Sequence, residues 1–250
     1  MSLAVPDADP AESAPGGGVP ISGGLLNIDK PSGITSFRVV KEARRVLGVK
    51  KVGHCGTLDP MASGVLLVVF GRATRQVPSL MLGRKVYRAA IKLGLRTDTG
   101  DVTGRVLEES AVPVIRRETI LETLKKFVGT IKQVPPMYSA LKHRGKKLYE
   151  YARRGVTIER PPREIEIYSL DLLEVTPDTL HVRTVCSKGT YVRTLAEDIG
   201  RALGLPAALS ELVREAVGPY RIEDSIPGSS LPAMTAADLL RRAQAVEPAP

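Results

Sequence analysis

The segment GHCGTLDPMASGVLLVVFGRATR, residues Gly53–Arg75, joins a polar turn region directly to an apolar run. The turn region contains a histidine, a carboxylate and three glycines, together with an Asp-Pro step, and such residues favour turns. The length and β-branching of the run Val65–Phe70 predict a buried strand. Asp59 is therefore expected on a loop held by a core strand, a common place for catalytic side chains. Asp59 could instead serve only to close an Asx turn before Pro60.

The rest of the chain shows apolar patterns of both helical and strand spacing. The predicted helices are one carrying Val39–Leu47, with Thr35 or Ser36 as its cap and Gly48 as its end, and others at Ile120–Val128, Tyr191–Leu203 and Ala236–Ala245. The predicted strands are Leu25–Ile28, Val65–Phe70, Val86–Leu93, Arg163–Leu173, Thr179–Val185 and Val213–Tyr220. Because several strands follow one another without an intervening helix, we predict an α+β mixed sheet and not a doubly wound α/β fold.

The composition is basic. Lys and Arg number 36 against 27 Asp and Glu, which gives a formal charge of +9. This charge fits a polyanionic partner, because Lys and Arg neutralise phosphates, although it could also serve solubility alone. The basic residues concentrate in Lys41–Lys51, Arg72–Arg88 and Lys142–Arg154, with Tyr87, Tyr149 and Tyr151 among them. Cations beside aromatic rings suit phosphate contact together with base stacking.

The sequence predicts no metal site and no exported protein. Cys55 and Cys186 form neither a CxxC pair nor a cluster with histidine, so we interpret both as small packing residues. The first two dozen residues are acidic and rich in Pro, Gly, Ala and Ser, without the basic start and apolar core of a secretion signal. No apolar stretch reaches membrane-spanning length. We therefore expect a cytoplasmic protein that has no membrane partner and begins with a disordered tail.

Four motifs carry a resemblance to a known family. GHCGTLDPMASGVL resembles the active-site motif of pseudouridine synthases, specifically the bacterial tRNA pseudouridine-55 synthase (TruB) family. The other motifs follow in the family's order: KVYRAAIKLG at Lys85–Gly94, VPPMYSALKHRGKKLYEYARRG at Val134–Gly155 and CSKGTYVRTLAEDIG at Cys186–Gly200. The similarity covers about Leu25–Ile222. It implies the pseudouridine synthase fold, a large mixed and mainly antiparallel β-sheet flanked by helices.

The resemblance implies an RNA-modifying isomerase. Pseudouridine formation breaks the bond from the ribose to N1 of uracil and rejoins the ribose to C5, so no cofactor and no metal are expected. One carboxylate must act as a nucleophile or as a base at the sugar, and the family match gives that role to Asp59. Arg193 matches the cationic partner that would keep this carboxylate ionised. Without the resemblance, Arg193 would be interpreted as an exposed arginine or a phosphate contact.

The resemblance also implies which residues would hold the target base. Tyr87 matches the tyrosine that stacks on the flipped uracil, and Tyr191 and Leu212 match residues that line the uracil pocket. His54 resembles the residue that enters the RNA loop where the base was. Taken alone, Tyr87 would be an ordinary strand residue and Leu212 an ordinary core residue. The turn Lys30–Gly33 matches one that the family places against the active-site loop.

The expected organisation is a tail over residues 1–23, a catalytic domain over 24–222 and a short extension over 223–250. Many family members carry a C-terminal RNA-binding module of the PUA type, and the 28 residues after Ile222 are too few for one. We therefore expect a monomer whose catalytic domain alone recognises the T arm of tRNA. The expected target is uridine-55 of the T loop.

Two alternative functions stay open at this point. A protein that kept the scaffold could bind or fold RNA without catalysis, although a binder would not need Asp59, Arg193 and Tyr87 together. A pseudouridine synthase could also act on another RNA, as the guide-dependent eukaryotic and archaeal relatives do. Mapping of pseudouridine in tRNA after incubation with the protein separates these possibilities.

Overall fold

The computed structural model describes residues 23–246 and contains one large β-sheet with helices packed against it. The strands are β1 (Gly23–Lys30), β2 (Val52–Cys55), β3 (Ser63–Gly71), β4 (Lys85–Leu93), β5 (Leu95–Thr97), β6 (Val106–Glu109), β7 (Gly129–Gln133), β8 (Lys142–His143), β9 (Lys146–Lys147), β10 (Arg163–Thr176), β11 (Thr179–Cys186), β12 (Ala207–Val217), β13 (Tyr220–Arg221) and β14 (Ile226–Pro227). The helices are α1 (Ser36–Leu47), α2 (Val77–Leu80), α3 (Arg117–Lys125), α4 (Leu148–Ala152), α5 (Val192–Ala202) and α6 (Ala236–Arg242).

The large sheet is mixed and mainly antiparallel. Its strands lie in the order β14-β1-β3-β12-β4-β11-β10-β7, with β2 paired to β3 and β13 paired to β12. In the described part of the chain, the parallel pairs are β1–β14 and β3–β12. Two small hairpins, β5–β6 and β8–β9, stand apart from this sheet. The architecture confirms the predicted α+β fold.

The apolar run that the sequence marks as a buried strand is β3, in the interior of the sheet. Side chains on its two faces enter two different cores. Leu66 and Phe70 belong to the main core, and Val65 and Val69 belong to a smaller one on the opposite face. A strand covered on both faces needs apolar residues at every position, which explains why the run does not alternate with polar residues.

Helix α1 begins and ends where the sequence predicts. Thr35 is its N-cap, and the Thr35 hydroxyl accepts a hydrogen bond from the backbone N–H of Arg38 at 3.2 Å. Gly48 ends the helix with φ at 67°, a left-handed conformation that suits glycine. Val39 and Ala43 face the main core. Helix α1 is therefore packed against the main core of the sheet.

The strand predicted at Val213–Tyr220 has different limits. It is the second half of β12, which already begins at Ala207, and a turn after Val217 sends Tyr220 back as β13. Alanine favours strands only weakly, so the first residues of β12 give little sequence signal. Their pairing with β4 makes them strand residues.

Two helices also differ from their predicted limits. Helix α3 starts at Arg117 and ends at Lys125, three residues before the predicted Val128, because residues 126–128 close with shorter-range hydrogen bonds. Helix α6 ends at Arg242 instead of Ala245. The short strands β2 and β7 were not predicted. Each is paired along one neighbour, and pairing is not visible in local composition.

The last described residues pack on the main core. Strand β14 lies beside β1, and Leu239 of α6 is fully buried. Leu25 and Gln244 exchange backbone hydrogen bonds of 3.0 and 2.8 Å. The predicted tail over residues 1–23 lies outside the described residues, apart from Gly23, the first residue of β1. The division into a catalytic domain and an extension stays a prediction.

None of the helices in residues 23–246 has the length and apolar character needed to cross a membrane.

Candidate active site

Asp59 lies on the loop between β2 and β3, where the sequence predicts it. The backbone carbonyl of Asp59 closes a turn by accepting a hydrogen bond from Ala62 N at 3.1 Å. The Asp59 carboxylate instead contacts Arg193, and its side chain is 36% exposed. One residue earlier, the Ser36 hydroxyl donates to Leu58 O and accepts from Leu58 N, each at 2.9 Å. The carboxylate is therefore held at the surface of a loop whose backbone is fixed from behind.

The turn Lys30–Gly33 supports the same loop. Lys30 is fully buried, and its ammonium donates to Pro60 O at 3.3 Å and to two carbonyls of its own turn at 2.9 and 2.7 Å. Gly33 N also donates to Pro60 O, at 2.8 Å. Burial lowers the pKa of Lys30 to about 8, with the charge of Asp59 opposing that shift. Lys30 is thus a buried structural cation beneath the Asp59 loop.

Arg193, near the start of α5, brings a buried guanidinium to Asp59. The residue is only 5% exposed, and its Nε lies 2.9 Å from Asp59 Oδ2. Its Nη1 donates to Thr99 O at 2.6 Å and its Nη2 to Tyr138 O at 2.7 Å. The contact with Asp59 is therefore made by one nitrogen, and the other two are held by carbonyls. Each donor direction of the fork has its own acceptor, which fixes the guanidinium in one orientation.

A second carboxylate lies farther along the same guanidinium. Asp101 is 5% exposed, and its Oδ2 is 3.9 Å from Arg193 Nη1. Asp101 Oδ1 accepts hydrogen bonds from the backbone N–H of Thr103 at 3.0 Å and from the Thr99 hydroxyl at 3.0 Å. Arg193 therefore lies between a buried carboxylate and the more exposed carboxylate of Asp59.

The Asp59–Arg193 pair lies on the wall of a cavity of about 240 Å³. Tyr87 from β4, Tyr191 from the start of α5 and Leu212 from β12 line the same cavity. Five of the six predicted site residues are thus brought together from four separate parts of the chain. Their roles in binding or catalysis stay predictions.

Both tyrosines present neutral phenols to this cavity. Burial raises the pKa of Tyr87 and of Tyr191 above the ordinary tyrosine value. The side-chain amide of Gln133 orients Tyr191: it accepts from Tyr191 N at 2.8 Å and donates to Tyr191 O at 3.1 Å. The rings of Tyr87 and Tyr191 offer flat apolar surfaces for a base.

His54 lies in β2, outside the lining of the cavity. The side chain is partly buried, and its Nδ1 is buried without a hydrogen-bond partner. Burial lowers the pKa of His54, and the nearby charges of Arg214 and Lys147 lower it further. The imidazole is therefore neutral at neutral pH. Its predicted entry into an RNA loop stays a prediction.

Two buried cations in the cavity wall were not predicted from the sequence. Lys85 is 7% exposed and donates to the carbonyls of Met81 at 2.5 Å and Gly83 at 2.6 Å. Burial lowers the pKa of Lys85 to about 8. Arg214 of β12 is 1% exposed. Both residues occupy strands where a basic side chain normally indicates a solvent face, so the sequence offers no signal for their burial.

The two cysteines are buried and free. Burial raises the pKa of Cys55 and of Cys186 to about 11, which keeps both thiols protonated and unreactive at neutral pH. This agrees with the interpretation of both as packing residues. Residues 23–246 contain no group of three or more His, Cys, Asp or Glu side chains arranged to hold a metal ion.

The basic segment Lys142–Arg154 forms the β8–β9 hairpin and α4. The ring of Tyr149 has Lys147 Nζ 5.6 Å from its centroid and the Arg153 guanidinium carbon 5.2 Å from it. Lys147 and Arg153 are both exposed. An aromatic ring with exposed cations close to it is the combination expected for phosphate and base contacts.

Comparison with known proteins agrees with this geometry. The model of the "TruB family pseudouridylate synthase (N terminal domain)" matches residues 44–192. A protein of Bordetella avium (strain 197N) named tRNA pseudouridine synthase B is 46% identical over 220 residues, which are 87% of this chain and 90% of that protein. A protein of the same name from Dehalococcoides mccartyi (strain CBDB1) is 49% identical over 210 residues, 84% of this chain and 70% of that one.

Solved structures share the fold. A chain of a Cbf5-Nop10-Gar1 complex superposes with a TM-score of 0.64 at 34% identity and covers 82% of this chain. A chain of an H/ACA RNP bound to a substrate RNA containing 2'-deoxyuridine gives a TM-score of 0.62 at 30% identity and covers 84%. This protein spans 52% of the length of each of those chains. From the family match and the extent of identity with its relatives, the chain belongs to the TruB family of pseudouridine synthases.

Proposed function

We propose that this protein is a tRNA pseudouridine synthase that converts uridine-55 of the T loop to pseudouridine. One observation carries the proposal: the carboxylate of Asp59 lies 2.9 Å from a buried arginine, on the wall of a cavity that Tyr87 also lines. Relatives that share 46–49% of their residues with this chain carry the name tRNA pseudouridine synthase B.

The reaction rearranges bonds within one nucleotide. The N1–C1′ bond breaks and a C5–C1′ bond forms, while the base loses its proton at C5 and gains one at N1. In the proposed site, Asp59 acts at the ribose, and Arg193 holds the Asp59 carboxylate in place through the 2.9 Å contact between its Nε and Asp59 Oδ2. The ring of Tyr87 and the side chain of Leu212 hold the uracil while it is detached from the sugar.

The size of the cavity supports base flipping. A volume of about 240 Å³ is small and accepts a single nucleotide, not a stacked helix. An enzyme that works on a base inside folded RNA has to extrude the target nucleotide into such a pocket. We assign Tyr87, Tyr191 and Leu212 to binding of the flipped base. We assign His54 to filling the space that the flipped base leaves in the RNA loop.

The charge of the protein supports an RNA substrate. The formal charge is +9, and the exposed cations Lys147 and Arg153 lie close to the ring of Tyr149. Such a surface binds the phosphates of the RNA stem while the cavity receives the base. The three basic segments named above are assigned to the T arm of tRNA.

A non-catalytic RNA-binding protein is the competing hypothesis. Burying an arginine charge costs free energy that only well-placed partners offset. The Nε of Arg193 contacts the carboxylate of Asp59, which lines the cavity. A binding protein would gain nothing from holding a buried guanidinium against a carboxylate that faces the cavity, and this favours catalysis.

The test is incubation with an unmodified tRNA transcript, followed by mapping of pseudouridine at single-nucleotide resolution. We expect one modification, at position 55. Asp59→Asn keeps the shape of the side chain and removes its charge, so turnover should disappear while tRNA affinity changes by no more than about threefold. Asp178→Asn, which alters an exposed carboxylate paired with Lys92, is the matched control and should retain turnover.

Three results would contradict parts of the proposal. If the wild-type protein binds tRNA and never modifies it, the RNA-binding hypothesis is correct. If pseudouridine forms at another position or in another RNA, the target assignment is wrong. If folded Asp59→Asn keeps substantial turnover, Asp59 is not the catalytic carboxylate.

A further inference from the structure

Arg214 occupies an unusual position for an arginine. It is 1% exposed and lies in β12, between β3 and β4. Across one side it is paired with Tyr87 of β4, and across the other it is paired with Gly64 of β3. Directly opposed residues of antiparallel strands have their side chains on the same face and in mutual reach. Arg214 is therefore a neighbour both of the tyrosine in the cavity and of the strand that follows the Asp59 loop.

The guanidinium of Arg214 holds both ends of the Asp59 loop. Its Nη2 donates to Gly56 O at 3.1 Å, before Asp59, and its Nε donates to Val65 O at 2.7 Å, after it. One planar group thus fixes two backbone carbonyls, Gly56 O before Asp59 and Val65 O after it. A planar fork can reach two such acceptors at once, whereas an ammonium on a flexible stem cannot hold them in one fixed geometry.

The backbone of β12 lies directly against the start of β3, immediately after the Asp59 loop. A Cβ added at Gly64 would be 2.3 Å from Arg214 O, so the two strands touch without an intervening side chain. If the backbone of Arg214 shifts, the backbone of Gly64 must shift with it, because no side chain between them can rearrange.

Arg214 has no ion-pair partner to explain its burial. Among the residues 23–246, the ion pairs involve other side chains, and Nε and Nη2 of the guanidinium donate to carbonyl oxygens. Replacing a buried charge by an apolar side chain is often neutral or stabilising, so stability alone is a weak reason for this arginine. The charge also acts on the cavity, since it lowers the pKa of the Tyr87 phenol against the effect of burial.

We propose that Arg214 is a positioning residue that fixes the Asp59 carboxylate at a set separation from the Tyr87 ring. The sugar and the base of one nucleotide must meet these two groups at the same time, so their separation determines whether bound RNA is aligned for reaction. This inference rests on the proposed function, and it adds a residue that acts by placing the Asp59 loop and the Tyr87 ring.

The test compares Arg214→Lys and Arg214→Gln with the wild-type protein. The lysine variant keeps the charge and loses the fork, and the glutamine variant keeps a planar donor and loses the charge and some length. For both we expect the single-turnover rate at saturating protein to fall at least about thirtyfold, since a small misplacement of reacting groups has effects of this order. The Kd for tRNA should stay within about threefold, because the phosphate contacts are untouched.

Arg183→Lys is the matched control. Arg183 lies in β11, is 44% exposed at its side chain and pairs with Glu215, away from the cavity. Its single-turnover rate should stay within about twofold of the wild type. The urea midpoint of every variant is measured, so that the comparison is made between folded proteins.

Four outcomes decide the proposal. A rate loss at unchanged Kd in folded protein supports it. Retention of the wild-type rate in both variants overturns it, and so does a rate loss matched by an equal loss of affinity, which would make Arg214 an RNA contact. Failure of both variants to fold would assign Arg214 to stability and would also overturn it. If the wild-type protein forms no pseudouridine, the proposed function fails, and this result is seen before any variant is made.

Discussion

Arg193 shows how much one side chain in this site has to do. Its three nitrogens have three different acceptors, Asp59, Thr99 O and Tyr138 O. A lysine has its three donors on a single nitrogen and no planar fork, so it cannot occupy the three nitrogen positions from which the guanidinium makes these contacts. The bonds to the two carbonyls hold the guanidinium where Asp59 needs it.

The first prediction follows from these contacts. Arg193→Lys should lower turnover by at least about a hundredfold, on the order of the 3 kcal/mol lost when a buried charge pair is broken. Arg201→Lys, on the same helix but 74% exposed at its side chain, is the control and should change turnover little. Steady-state rates on tRNA measure both variants. Near-normal turnover of Arg193→Lys would show that the pair with Asp59 is not required.

The second prediction concerns Lys30 and pH. Burial lowers its pKa from 10.5 to about 8 in the folded protein. Below that value Lys30 is protonated in both states, and the folded protein bears the full cost of the buried charge. As pH rises from about 8 to 10.5, the folded state loses the proton first, so the unfolded state binds more protons and stability increases.

Lys30→Met removes this dependence. The free energy of unfolding of the wild type minus that of Lys30→Met should therefore rise across the same pH window, by roughly 3 kcal/mol at most. Lys125→Met alters an exposed lysine of α3 and should give a flat difference. Urea unfolding at a series of pH values measures both. A flat difference for Lys30→Met would mean that burial does not shift its proton equilibrium.

At the scale of secondary-structure elements, β3 and β12 are in close backbone contact near the site. Gly64 has φ at +101°, and an added Cβ would lie 2.3 Å from Arg214 O. Gly48, at the end of α1, has φ at +67° and open space around the same position. The two glycines therefore share an unfavourable backbone conformation for other residues and differ in steric room.

The third prediction uses this pair. Gly48→Ala should cost about 1 kcal/mol of stability, the ordinary penalty for a left-handed alanine. Gly64→Ala should cost at least about 3 kcal/mol, because backbone must move, and should also lower turnover by displacing the Asp59 loop. Urea midpoints and tRNA turnover are the measurements. Equal effects of the two substitutions would show that β3 and β12 can separate without consequence.

Elements were predictable from sequence where the signal is local. Thr35 and Gly48 bound α1 through cap chemistry, and the run Val65–Phe70 marks β3 by composition alone. The start of β12 at Ala207 and the whole of β2 depend instead on pairing with β4 and β3. Strand pairing is a property of two distant segments, so it leaves no periodic pattern in either one.

At the scale of the whole molecule, recognition is assigned to one domain with a basic surface. If the three basic segments bind the T stem while the cavity receives the base, an isolated T-arm hairpin contains all that is required. Lys147, in β9, and Arg153, at the end of α4, are exposed beside Tyr149 and do not line the cavity, so the proposal assigns stem binding and base binding to different surfaces.

The fourth prediction is that a T-arm hairpin is modified with kcat/KM within roughly tenfold of whole tRNA, about 1.4 kcal/mol. Its affinity should fall steeply and log-linearly with salt, because phosphate contacts release counterions. Rates and Kd values on both RNAs across a salt series provide the measurement. A hairpin that binds but is not modified, when whole tRNA is, would show that contacts outside the T arm are needed.

Some features of the candidate site are indicated by local composition, and others only by the resemblance to a family. The loop position of Asp59 was predictable because turn formers and a buried strand surround it within a few positions. Its predicted role, and the choice of Arg193, Tyr87, Tyr191 and Leu212, came from the resemblance. Local composition can carry such signals since caps, turns and buried runs depend on near neighbours.

Only the resemblance implied their meeting in one cavity, which the local sequence around each residue does not indicate. Asp59 and Arg193 are 134 positions apart, and the strand order β3-β12-β4 places Arg214 between the Asp59 loop and Tyr87. The sequence pattern around Lys85 and Arg214 indicates solvent-facing cations. Both side chains are instead buried and donate hydrogen bonds to backbone carbonyls. Burial is set by what other strands and loops lie above a side chain, and that depends on the packing of the whole sheet.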